Sequence, residues 1–129
     1  MKPIFLLAVS VCAVISLSVH SEDWIAIHSE EKQKTEYYDA DSIKVIDGNI
    51  FFWSMVDFKL PVMGVLSRKN YVELNCALGR YRLREQILYE GSRGAGQAYE
   101  SEIVKAEMVP VSSVAVISEV IDKYCIHSQ

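Results

Sequence analysis

From residue 24 to about residue 89 the chain alternates apolar-rich runs with polar or glycine-containing breaks. Near the C-terminus the apolar period lengthens from two residues to about 3.6. Trp24-Ile25-Ala26-Ile27-His28 reads as a short first strand, and the charged stretch 29–34 as a turn. Residues 35–38 and 42–46 are β-prone pieces on either side of Asp39-Ala40-Asp41. Asp47-Gly48, or Gly48-Asn49 one residue on, signals a tight hairpin because these residues tolerate positive φ. It leads into residues 50–58, which are apolar on both phases of the alternation, as in a strand covered on both faces. Leu60-Pro61-Val62-Met63-Gly64 reads as a connection.

A long alternating strand is expected from about residue 67 to 78, with Val72, Leu74, Cys76 and Leu78 on one face. Gly79 then shifts the phase, as a bulge would, and puts Arg80, Arg82 and Arg84 on the opposite face from Tyr81 and Leu83. The strand continues through residues 87–89. Residues 91–96 are a glycine-rich loop, and 98–107 a weak, charged edge candidate. Pro110 precedes Ser112 and Ser113, which are good helix N-caps. Val114, Ile117, Val120, Ile121 and Tyr124 then form one amphipathic stripe over about 12 residues. Strands first and a single helix last predict an α+β domain, an antiparallel sheet with a helix packed on one face.

The N-terminal segment stands apart from this pattern. Lys2 precedes an apolar stretch over residues 4–19, and Val19-His20-Ser21 supplies an acceptable cleavage context. This is the order of a secretory signal peptide, giving a signal over 1–21 and a domain over 22–129, with cleavage after Ser18 as the neighbouring alternative. The stretch is shorter than the roughly 20 residues a membrane span needs, so the mature chain carries no expected transmembrane segment. Cys12 is a candidate for lipidation, but Val11 stands where a lipobox wants a small residue. Simple cleavage removes it.

Export also settles the cysteine count. Of the three cysteines, Cys76 and Cys125 remain, in a compartment that permits a disulfide. A bridge between them closes a loop of about 50 residues, worth roughly 3–4 kcal/mol in the chain-entropy picture, and staples the helix to the sheet. The alternatives are two buried free thiols, or a metal pair of Cys125 with His127, for which no further ligands stand at metal-site spacing.

All 17 acidic residues but only 12 of the 13 basic ones follow residue 21, since Lys2 lies in the signal. An acidic mature chain disfavours nucleic-acid binding by bulk charge. The three histidines are scattered, and no nucleophile, metal-protease or phosphate-loop motif is present, so neither catalysis nor a cofactor is expected. Asp39 and Asp41 read as turn residues bonding nearby amides. Two features remain for binding. Arg80, Arg82 and Arg84 form a candidate binding face for a polyanion or an acidic partner, the alternative being a solvated face neutralised by Glu73 and Glu85. Phe51, Phe52, Trp53 and Phe58 read as core, with their second face a candidate homodimer surface.

Taken in order, these pieces resemble the surface-adhesin protein E family of Gram-negative bacteria. The resemblance runs from Tyr37-Tyr38-Asp39-Ala40-Asp41-Ser42-Ile43-Lys44 through Asp47-Gly48-Asn49 and the Trp53 strand with Asp57. It continues with Gly64, Ser67, Asn75-Cys76, Tyr81-Arg82, Tyr89 and Gly91. Pro110-Val111-Ser112-Ser113 and Cys125 close it. It implies a sheet of about six antiparallel strands with a C-terminal helix, often dimeric, in the periplasm or at the cell surface. It further implies binding of a host extracellular-matrix protein such as laminin or vitronectin. A periplasmic structural or accessory module without a host ligand is the alternative, because the signal lacks a lipobox.

Overall fold

Two tight turns set the centre of the fold. Asp47 and Gly48 have φ of 51° and 81° and join β3 (Lys44–Ile46) to β4 (Asn49–Val62). Met63 and Gly64, at 51° and 80°, join β4 to β5 (Val65–Asn75). Two successive left-handed residues make the turn whose twist matches that of paired strands. The computed structural model describes residues 22–28, 30, 32–101, 107–111 and 114–125. The signal segment with Cys12, the expected caps Ser112 and Ser113, and His127 lie outside them.

The remaining strands are β1 (Trp24–Ile27), β2 (Lys34–Asp39), β6 (Arg80–Tyr89), β7 (Ala98–Ser101) and β8 (Val109–Pro110). They form one antiparallel sheet in the order β1-β2-β4-β5-β6-β7. β3 adds to β4 beyond β2, and β8 adds to β6 beyond β7. Asp39 turns the chain between β2 and β3, since its Oδ1 accepts from the amides of Asp41 at 3.1 Å and Asp23 at 2.9 Å. The turn role expected of this aspartate is the one it has.

One face of the sheet carries the core. Tyr38, Ile50, Phe52, Val72 and Leu74 are buried against Val116, Ile117 and Val120 of helix α1 (Ala115–Tyr124). Burying each such side chain contributes roughly 1.5–3 kcal/mol. The end of the helix is fixed to the sheet by a Cys76–Cys125 disulfide with Cα atoms 5.5 Å apart. Beside it, Lys123 Nζ donates to the Tyr38 hydroxyl at 3.2 Å and Tyr124 packs edge-on to Tyr38. The fold is α+β with a stapled C-terminal helix, and six strands form its continuous path.

Three local expectations are corrected. The strand drawn through Gly79 is two strands. Cys76–Gly79 is a turn in which Asn75 Oδ1 accepts from the Leu78 amide at 2.9 Å, so Asn75 faces Arg80 in antiparallel register. A register shift does occur, but at Arg84, the extra residue between the Val72↔Leu83 and Tyr71↔Glu85 pairs. The expected connection at residues 60–64 is strand up to the Met63-Gly64 turn, because β4 and β5 pair again at Val62↔Val65 after separating at Asp57.

Candidate functional site

The sheet's other face is not covered by the helix. Strand alternation places Phe51, Trp53 and Met55 of β4 there, opposite Glu73, Tyr71 and Lys69 of β5. Those residues lie in turn opposite Arg82, Glu85 and Ile87 of β6. Residues 50–58 are thus apolar on both phases for two reasons. Phe52 belongs to the helix-covered core, whereas Phe51 and Trp53 are half-buried on the open face.

At one end of this face stands an arginine and aromatic surface. Arg82 Nη2 donates to both carboxylate oxygens of Glu73, at 2.9 and 3.2 Å, and Arg84 Nη1 lies 3.5 Å from the same group. Asn49 Nδ2 adds a donor at 3.3 Å. Glu73 is only 4% exposed, so these donors replace the water its charge would otherwise need. Arg84 shares the face of Arg82 by strand alternation, and the bulge at Arg84 brings Glu85 to that side as well. Arg80 is exposed and donates instead to the Met108 carbonyl at 3.3 Å. All three arginines lie on β6. Two of them are anchored on one buried acid, whereas no ion pair of Glu85 is present among the described residues. Alongside, Tyr71 stacks at tilted angles on Trp53, with centroids 5.0 Å apart, and on Phe51 at 6.1 Å.

The other end forms a cup of about 260 Å³ lined by Glu22, Trp24, Asp39, Trp53, Lys69 and Tyr89, among others. The Lys69 ammonium sits 5.4 Å from the ring centres of both Trp24 and Tyr89, a cation–π arrangement, and 3.8 Å from Glu22. Trp24 is on β1 and Lys69 on β5, three strands apart along the sheet. At about 4.8 Å per strand their backbones stand roughly 14 Å apart, a gap the two long side chains close by leaning across the face. The glycine-rich loop folds over the adjacent rim. Ser67, fully buried, donates to the Gly91 carbonyl at 2.6 Å and accepts from the Gly94 amide at 2.8 Å. Asp57 accepts from the Ser92 hydroxyl and the Arg93 amide, each at 3.0 Å.

Sequence reasoning set Lys69 beside the arginine stripe and missed the cup, since nothing local to residue 69 announces rings contributed by β1 and β6. Glu73 was legible only as a partner of the arginines, not as a buried one. Among the described residues, no three His, Cys, Asp or Glu side chains converge to hold a metal.

Residues 24–126 match the family described as surface-adhesin protein E. No curated protein matches the chain by sequence. Among solved structures, the selenomethionine form of Haemophilus influenzae protein E superposes with a TM-score of 0.64 at 17% identity. That match covers 81% of this chain and 86% of the other. Protein E from non-typeable Haemophilus influenzae superposes at 0.60 and 17% identity, over 78% and 75% of the two chains. At such identity the likeness is one of fold.

Proposed function

The chain belongs to the surface-adhesin protein E family, and from that premise we propose that it is an exported, non-enzymatic envelope protein that binds a host extracellular-matrix protein through the open face of its sheet. The observation that carries this reading is the surface formed by Trp53 and Tyr71 beside Arg80, Arg82 and Arg84. Tyr, Trp and Arg are the residues that most often dominate binding energy at protein interfaces. Here they lie on a sheet face left open by the helix and held rigid by a buried acid. The arginines favour an acidic or sulfated segment of the partner.

On this reading residues 1–21 are a cleaved signal, and the domain works in the periplasm or at the cell surface. Val11 before Cys12 favours a second reading, a periplasmic accessory module with no host ligand. A third use of the aromatic face, self-association into a homodimer, would occupy the same surface. The test is binding of the purified protein to immobilised laminin and vitronectin, with and without heparin, alongside surface labelling of intact cells. Heparin-sensitive binding and a labelled protein support adhesion. An unlabelled periplasmic pool that binds neither ligand supports the accessory role.

A further inference from the structure

The β4–β5 hairpin projects an apolar tip that the core does not use. Met63 at its turn is 99% exposed and Leu60 70%, with Val62 and Pro61 also open to water. The strands separate between Asp57 and Val62 and rejoin only at Val62↔Val65, so the tip is a narrow convex end, not a groove that receives a partner. Behind it lies a basic collar. Lys59 immediately precedes Leu60, and its amide donates to the Gln33 carbonyl at 2.9 Å, bringing the 32–34 segment alongside. Lys34 pairs in register with Phe58. Lys32, Lys34 and Lys59 line one shallow hollow with Asp57, whose carboxylate is already engaged by Ser92 and Arg93.

We propose that this hairpin docks the protein on an anionic lipid surface, with Leu60, Val62 and Met63 entering the headgroup–acyl boundary and the three lysines meeting the phosphates. An exposed apolar end with ammonium groups set back from it is the arrangement by which interfacial elements hold to membranes. Along β5 the turn stands three residues from Ser67, the partner of Asp57 beside the collar, about 10 Å at 3.3 Å per residue, so lysine chains reach the headgroups while the apolar end is immersed. The local charge matters because the chain as a whole is acidic, with a formal net charge of −4. Without the collar, an anionic surface would repel it. Insertion is shallow, since β4 has no partner on β5 from Phe58 to Pro61 to satisfy that edge of its backbone in hydrocarbon. The proposal rests on the tip's own geometry and holds whether or not the open face binds a matrix protein.

The protein, purified as its producing cell processes it, is mixed with phosphatidylethanolamine vesicles containing or lacking phosphatidylglycerol. A Met63→Trp variant is followed by emission and by quenching from brominated lipids, against the two native tryptophans as background. A blue-shifted, quenched emission only with phosphatidylglycerol is expected. Leu60→Asp with Met63→Asp is expected to weaken binding about tenfold or more, and Lys59→Gln about fivefold, with unchanged circular dichroism. Unshifted Met63→Trp emission on vesicles overturns the proposal. So does a concentration-dependent dimer that shields that position without lipid, which would assign the tip to a second copy.

Discussion

The Arg82 guanidinium holds the buried carboxylate of Glu73 by a single nitrogen, Nη2, placed 2.9 and 3.2 Å from its two oxygens. The arginine's side chain is 36% exposed and the glutamate's only 5%, so the acid depends on the pair more than the base does. Arg82 is therefore a structural element of the open face as well as part of its surface. Arg80 and Arg84 are the members of the stripe that can be removed without stranding a buried charge.

Replacing Arg82 by Ala leaves Glu73 with Asn49 and the longer Arg84 contact. The expected loss is about 1–3 kcal/mol, at the lower end for a buried pair because one partner is partly solvated. Arg82→Ala combined with Glu73→Gln costs less than Arg82→Ala alone, since the charge needing a partner is gone. Urea denaturation of the two variants measures the difference.

The disulfide joins residues 49 apart in sequence and closes the end of the helix onto the sheet. Cys76→Ser with Cys125→Ser is expected to lower stability by about 3–4 kcal/mol. Exchange of the amides of α1 should rise before that of β4 and β5, because the central strands keep their ladders. Uniform loss of protection would show that the helix and sheet unfold as one unit regardless of the bridge.

Alkaline pH acts on the same corner. The bond to Tyr38 raises the Lys123 pKa above its ordinary value. Burial, followed by the hydrogen bond with Tyr38, raises that of Tyr124. A folded state that holds these protons more tightly is fully favoured below the unfolded values near 10, and loses that advantage as pH rises through the folded ones. Melting temperature should be level from pH 7 to about 9 and fall above 10. The fall should be smaller in a Lys123→Ala variant.

Ser67 ties the 91–96 loop to the sheet with a hydroxyl that both donates and accepts. Ser67→Ala leaves the Gly94 amide without that acceptor and is expected to cost about 1–3 kcal/mol. Proteolysis should show the cut moving into residues 91–96. Unaltered loop protection would mean that the Asp57 contacts alone suffice.

How far the chain could be read depended on whether each signal was local. Asp47-Gly48 marks its turn because the backbone conformation and the residues that tolerate it coincide. The stripe from Ile117 to Tyr124 marks the helix, and reading the N-terminal stretch as a signal singles out Cys76 and Cys125 as a pair. The Cys76–Gly79 turn was hidden because Leu78 keeps the alternation of the strand before it, and the turn is made by the side chain of Asn75. Met63 concealed the second two-residue turn, since a methionine rarely adopts positive φ. The Lys69 cup was beyond sequence altogether. It exists only when the folded sheet brings Trp24 and Tyr89 to one ammonium.

The central claim is that the open face, through its arginines and aromatics, binds a matrix protein. It is tested most directly by measuring affinity for immobilised laminin and vitronectin with Arg80→Ser and Arg84→Ser introduced together, leaving Arg82 on Glu73. Asp122→Ser on the exposed side of the helix serves as control. The account predicts binding to at least one ligand, weakened about tenfold or more by the arginine pair and unchanged by the control, at equal thermal stability. Binding of the arginine variant at the unaltered protein's level, or failure of the unaltered protein to bind either ligand, would contradict it.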